Sequence, residues 1–312
     1  MEKKLISIMS NCYNEEENVD EFYRQVMDAL SPFLSKYDYE LLFIDNASND
    51  GTVNKIKSLI EKDRHVRLIV NARNFGQIRS PYYGFLQARG DAVIPISTDL
   101  QDPPPLIRDF IKKWEEGFKN VVGIKSGSKE HRIKYLLRKL FYKLIGGISE
   151  VEQIENFTGF GLYDRKFIDL LRGLNEPYPY FRGLVAELGL KRAEVPYVQA
   201  KRHKGRSKHS LYVLYDLAML GFVNHSKLPL RLASFIGFSV SLASMVIGLG
   251  YLAYKLLFWS SFQVGIAPLV IGIFLFGGIQ LFFLGIIGEY IGAIFTQVKN
   301  HPLVVEKERV NF

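Results

Sequence analysis

The side chains in this sequence that could do chemistry gather in four short polar segments, 11–16, 45–50, 71–76 and 97–102, and three of the four are rich in carboxylates. Carboxylates grouped in this way suit a hard divalent cation, which takes oxygen ligands and leaves a polyphosphate to supply several of them. Asp99 and Asp102, in the run STDLQDPPP, are the leading candidates for catalysis. Asp102 has a second reading, because the prolines at 103–105 open a helix that its side chain could cap. Asp99 has no such alternative. There is no glycine-rich phosphate loop of the Walker or dinucleotide type, so a bound nucleotide must be held by carboxylates, metal and backbone; that argues against an ATPase or a dehydrogenase. The histidines, His203 and His209 included, lie in no metal-ligand motif and read as surface or interface residues. Cys12 is the single cysteine. It cannot form an internal disulfide, which fits a reducing compartment, and no Cys/His pattern around it points to a catalytic thiol.

Elements must bring those segments together. A short apolar run precedes each of them, at 5–9, 39–45, 66–70 and 92–97, and helical patterns at 52–62 and 78–87 separate the runs. This alternation predicts an α/β fold with a parallel sheet and crossover helices, in which ligands bind beyond the carboxyl ends of the strands. The N-terminal run leads straight into acidic residues without a small-residue cleavage site, which predicts a buried strand and not a signal peptide.

The 312 residues carry a formal charge of +8, which by sign alone fits nucleic acid, anionic lipid or a polyphosphate. Residues 232–254 and 264–288 contain no charged side chain, and each stretch is long enough to cross a bilayer. Lys227 and Arg231 precede the first, while Lys299, Lys307 and Arg309 follow the second, so both termini are expected in the cytoplasm. Tyr251, Tyr254, Phe258 and Trp259 fit an interfacial aromatic belt at the far side. Small-residue spacing in both spans is compatible with a homo-oligomer formed through the membrane helices. Residues 133–145 alternate an apolar face with Lys134, Arg138, Lys139 and Lys143, the pattern of a helix lying on anionic lipid or of one packed on its own domain. A second apolar stripe, 211–223, leads toward the first span. The basic residues thus concentrate in segments that approach the membrane and form no nucleic-acid recognition motif. The expected division is a cytoplasmic catalytic domain at 1–210, an interfacial amphipathic helix at 211–229, transmembrane helices at 230–258 and 264–290, and a cytoplasmic tail at 291–312.

YNEEENV (13–19), IDNASNDGT (44–52), RNFGQ (73–77) and STDLQDPP (97–104), followed by GRSK (205–208) and two apolar spans, resemble the family 2 glycosyltransferases. Within these, the polyisoprenyl-phosphate glycosyltransferases, such as undecaprenyl-phosphate glucosyltransferases and dolichyl-phosphate mannose synthases, are most similar. The resemblance covers nearly the whole chain. It implies a GT-A, Rossmann-like nucleotide-sugar-binding domain followed by two transmembrane helices, in the plasma membrane of a bacterium. Carried over to this sequence, it implies that Tyr13, Glu15 and Asp45, with Asn46 and Asn74, hold the nucleotide sugar. Asp99 and Gln101 would bind Mg²⁺ or Mn²⁺, and Arg132, Arg138, Lys139, Arg202 and Lys208 would meet the lipid phosphate. A guanidinium fork suits phosphate oxygens, which makes that division physically sensible.

The implied reaction moves a hexose onto polyisoprenyl phosphate by one inverting displacement. UDP-glucose is the leading donor, with GDP-mannose, galactose and modified amino-sugar donors open. This chain departs from the family pattern at Asn46 and Ser97, where the family often carries aspartate, and near Gly159, where some relatives do. Loss of a general base is tolerable, because a phosphate monoester with a second pKa near 6 is already largely a dianion at neutral pH. Two alternatives remain open at this stage: a family 2 transferase with another lipid or polar acceptor, and an inactive lipid-phosphate-binding or scaffold protein.

Overall fold

The apolar run at 5–9 lies inside strand β1 (Lys4–Cys12), and its alternation builds both layers of the core. The computed structural model describes residues 3–127, 154–200, 228–258, 266–299 and 301–312. Successive strand residues point to opposite faces of a sheet. Ile6 and Ile8 accordingly join one buried cluster and Met9 the other. Strand β2 (Tyr37–Asp45) repeats the division, with Leu41 and Phe43 on the first face and Leu42 and Ile44 on the second.

Helices α1 (Val19–Leu30), α2 (Thr52–Lys62) and α4 (Ile107–Glu115) cover the first face through Phe22, Ile56 and Phe110. Helices α3 (Gly76–Gln87), α5 (Arg165–Leu174) and α6 (Phe181–Glu187) cover the second through Phe85, Phe167 and Leu184. Helix α3 lies so close to β2 that a Cβ on Gly84 would collide with Ile44, which requires glycine there. The remaining strands are β3 (Val66–Asn71), β4 (Ala92–Pro95), β5 (Asn120–Gly127), β6 (Phe157–Asp164), β7 (Arg192–Val198) and β8 (Glu306–Val310), in the spatial order β7-β5-β6-β4-β1-β2-β3-β8.

The expected parallel pairing holds for β4, β1, β2 and β3. The sheet as a whole is mixed, because β6 runs antiparallel to both β4 and β5, and β8 runs antiparallel to β3. Strand β8 lies within the segment expected as a cytoplasmic tail from residue 291, and pairs it with the sheet. Its register sets Val310 beside Leu68 and Glu306 beside Asn71, and Ala72 N–H donates to the Val305 carbonyl at 2.8 Å. Lys57 pairs with Glu308 at 2.7 Å, Tyr83 donates to Glu306 at 2.8 Å, and the Asn311 amide caps the Arg64 and Val66 carbonyls.

The chain divides into two units, one of Met1–Leu217 with Lys299–Phe312 and one of Ala218–Val298. The described part of the second unit is two helices, α7 (Leu228–Leu257) and α8 (Ile266–Val298). At 1.5 Å per residue their 30 and 33 residues span about 45 and 50 Å. Helix α8 continues eight residues past the expected end at 290. Its segment Leu275–Val298 is long and apolar enough to cross a membrane, while the apolar part of α7, Leu232–Ile247, is shorter. Both helices expose large apolar side chains, among them Phe235, Phe238, Leu281 and Phe282. The amphipathic segments expected at 133–145 and 211–223 lie outside the described residues.

Candidate functional site

Parallel pairing of β4, β1, β2 and β3 brings their carboxyl ends to one edge, which gathers all four polar segments. The loops after β1 and β2 are laced together. Asn14 N–H donates to Ser48 Oγ at 2.8 Å, Asn49 N–H returns a bond to Asn14 Oδ1 at 2.8 Å, and Glu15 N–H donates to Thr52 Oγ1 at 2.9 Å. Asn14 and Ala47 both adopt left-handed backbone, with φ of 55° and 62°. For alanine this is strained conformation, held in place by the hydrogen bonds on either side.

Asp45, at the last position of β2, is fully buried and accepts from Ser48 N–H at 2.9 Å. Burial pushes its carboxyl above the ordinary aspartate range, partly offset by the bonds from Ser48. Glu15 is also buried and accepts from the Asn18 amide at 2.6 Å, while Tyr13 beside it is half-buried. Asp50 balances two effects: burial raises its pKa, but bonds from the Thr52 hydroxyl and backbone N–H groups outweigh it and hold the carboxyl low. Asn46 and Asn74, expected to act together, meet at 2.9 Å through Asn46 Nδ2 and Asn74 Oδ1.

The segment after β4 is pinned from beneath by a buried Ser10–Thr98 hydroxyl pair at 2.7 Å. Leu100 then takes φ of 59°, a strained conformation between the two expected metal ligands. Asp99 Oδ1 accepts from Gln101 N–H at 3.2 Å, and both residues are partly exposed. Asp102 does not cap the turn that follows, whose first residues carry no side-chain cap. Its Oδ1 accepts instead from Tyr197 Oη at 2.7 Å and from Gln199 Nε2 at 3.5 Å. Burial raises the Asp102 pKa, against the opposing pull of the Tyr197 bond and the Lys125 charge. The backbone repeats the link, with Ala200 N–H donating to the Gln101 carbonyl at 3.1 Å.

Tyr197 and Gln199 were not legible as site residues, since nothing in their local sequence signals a partner about a hundred positions away. Gly159 has φ of 102°, where any side chain is strained, and a Cβ would touch the Phe181 ring at 3.5 Å. Among the described residues, no three His, Cys, Asp or Glu side chains gather as a metal site. Arg132, Arg138, Lys139, Arg202 and Lys208 lie outside the described residues.

Residues 7–171 match the family described as glycosyl transferase family 2. An uncharacterized glycosyltransferase of Synechocystis is 33% identical over 96% of this chain and 93% of its own length. A prophage-derived bactoprenol glucosyl transferase of Shigella flexneri is 35% identical over 97% of both chains. An uncharacterized glycosyltransferase of Bacillus subtilis is 35% identical over 96% of this chain and 92% of its own.

Proposed function

The chain belongs to glycosyl transferase family 2, and from that premise we propose that it transfers glucose from UDP-glucose to the phosphate of a polyisoprenyl lipid of the undecaprenyl type. One observation carries the reading: the likeness to bactoprenol glucosyl transferases extends over 97% of both chains, and so includes helices α7 and α8 as well as the sheet.

The four segments then have distinct work. The carboxylates Glu15 and Asp45, with Tyr13, line the base and ribose end, where the interlaced loops hold them before substrate arrives. Asp99 and Gln101 offer a carboxylate and an amide oxygen, a donor set that fits Mg²⁺ or Mn²⁺ when diphosphate oxygens complete the coordination. Such a cation would neutralise the departing nucleoside diphosphate. Asp102, tied to Tyr197, steadies the loop that carries these two ligands. The lipid phosphate, largely a dianion, needs no base; it attacks the anomeric carbon in line, and the configuration there inverts. Arg132, Arg138, Lys139, Arg202 and Lys208 are the cations to meet it.

The chain path supports two membrane crossings. Strand β8 pairs with β3, so the chain on both sides of the helical unit lies in one compartment. If Leu275–Val298 crosses a bilayer, a second crossing must bring the chain back, and α7 is the described helix long enough to do so. Lys227, Arg231 and Lys299 at the flanks favour the cytoplasm as that compartment.

The test is transfer of radiolabel from UDP- and GDP-sugars into an organic-extractable lipid, with purified protein, undecaprenyl phosphate and Mn²⁺ or Mg²⁺. Labelled lipid from UDP-glucose is expected, falling about a hundredfold or more in Asp99→Ala and disappearing with EDTA. No label with any donor or metal would reject the reading.

A further inference from the structure

We propose that Asn46 is a positioning residue whose side-chain amide, donating at one end and accepting at the other, sets the 73–77 turn at the mouth of the donor site. The proposal rests on the reading of this sheet edge as the nucleotide-sugar site.

Asn46 follows the last residue of β2 and is 2% exposed. Its amide makes four bonds. Nδ2 donates to Asn74 Oδ1 at 2.9 Å and to the Gly76 carbonyl at 3.1 Å. Oδ1 accepts from Phe75 N–H at 2.9 Å and from Asn71 Nδ2 at 3.2 Å. Two of these partners are backbone groups with fixed roles: Phe75 N–H can only donate and the Gly76 carbonyl can only accept. They fix which end of the amide is which, independently of how any neighbouring amide is turned. Asn74 is fixed in the same way, because its Oδ1 also accepts from Gly76 N–H at 2.8 Å.

A carboxylate of the same shape fails here. One of its oxygens could keep the bonds from Phe75 and Asn71. The other would face two oxygen acceptors, Asn74 Oδ1 and the Gly76 carbonyl, with no proton between them. Turning the Asn74 amide over would bring its NH₂ to the carboxylate but set that same group against Gly76 N–H, so no arrangement satisfies all partners. A buried charge facing acceptors carries a full desolvation penalty.

The network is anchored well below the turn. Asn71, fully buried at the end of β3, also donates to Ser80 Oγ on α3 at 2.9 Å, and Ser80 donates to Asn11 Oδ1 on β1 at 2.9 Å. The turn is thereby held by three parallel strands and a helix. It presents Arg73, whose guanidinium lies 4.1 Å from the centre of the Phe75 ring, at the same edge as Asp45. Asn46 therefore serves the donor through the turn it holds, as a two-sided hydrogen-bonding group.

The experiment measures UDP-glucose affinity by calorimetry with Mn²⁺, thermal unfolding without ligand, and steady-state transfer, on the full chain in detergent for wild type, Asn46→Asp and Asn74→Ala. Asn46→Asp is expected to weaken UDP-glucose binding about tenfold or more, to raise the KM for donor with kcat and acceptor KM little changed, and to lower the unfolding temperature. Asn74→Ala changes an exposed turn residue, so it folds even if Asn46→Asp does not, and it is expected to weaken donor binding about threefold. Wild-type affinity in Asn46→Asp, or in Asn74→Ala where the first variant does not fold, overturns the proposal. Loss of affinity in the variants of a protein that binds UDP-glucose but transfers no sugar upholds it and rejects the transfer reading instead; wild-type protein that binds neither UDP-glucose nor GDP-mannose overturns both.

Discussion

Tyr197 donates a 2.7 Å hydrogen bond to Asp102 across a sequence separation of 95 residues, and this bond joins the loop of the expected metal ligands to strand β7. The Asp102 carboxylate is thereby committed to a protein partner. A helix cap at this position would have been a local matter; the link to β7 makes the loop depend on the far edge of the sheet.

Tyr197→Phe removes the donor without changing the packing of the ring against Phe160, whose centroid lies 5.6 Å away. A hydrogen bond to a charged group contributes about 1.5–3 kcal/mol, so the variant should lose about tenfold or more in kcat/KM. Asp102→Asn separates positioning from proton chemistry, because the asparagine carbonyl oxygen still accepts from Tyr197. The Asp102→Asn protein should keep most of the activity; loss as deep as in Asp99→Ala would show that Asp102 acts as an acid or base and not as an anchor.

Asp164 offers a check on the scaffold. Its Oδ1 accepts from Lys166 N–H at 3.1 Å as the cap of α5, and its Oδ2 accepts from Trp114 Nε1 at 2.8 Å and Lys119 Nζ at 3.0 Å. Burial raises its pKa, yet the bonds from Trp114, Lys119 and Lys166 outweigh that and hold it below the ordinary value. A depressed folded-state pKa means the stabilisation is present above the unfolded value, about 3.9, and is lost as pH falls through the folded value. Asp164→Asn supplies only one acceptor oxygen and should cost about 2 kcal/mol at pH 7. The gap in unfolding temperature between the two proteins should begin to narrow as pH falls below about 4 and close only below the folded-state value. A gap that stays constant down to pH 3 would count against this account.

The first half of the sheet was legible because its signals are local. The pattern at 52–62 became α2 with the same limits, and the apolar runs at 39–45 and 66–70 fell inside β2 and β3. Strand β8 was not legible, since EKERV has no apolar run to signal a strand and fell within the expected cytoplasmic tail. It is an edge strand with exposed charges, and what makes it a strand is a set of partners far away in sequence: Lys57 for Glu308 and Tyr83 for Glu306. Asn46 shows a further limit. Sequence marks the absence of an expected carboxylate, but only the backbone of residues 75 and 76 shows that the position requires a donor and an acceptor together.

The β8–β3 pairing makes the membrane path testable with single cysteines. The native Cys12 is 1% exposed, and burial pushes its thiol well above the ordinary range, with nearby Asp45 adding to the effect, so it should stay silent toward maleimides. Glu61→Cys and Lys307→Cys place reactive thiols on exposed positions of the catalytic unit, one on α2 and one on β8. Because strands cannot pair through a bilayer, these two must share a compartment whatever the helices do. Ser261→Cys, between α7 and α8, should lie opposite if both helices cross. On intact cells a membrane-impermeant maleimide should therefore label the Ser261→Cys protein and neither of the others, and all three should react after permeabilisation. Labelling of none of the three in intact cells would mean that α8 does not cross; labelling of Lys307→Cys but not Glu61→Cys would mean that β8 does not pair with β3 in the membrane-bound protein.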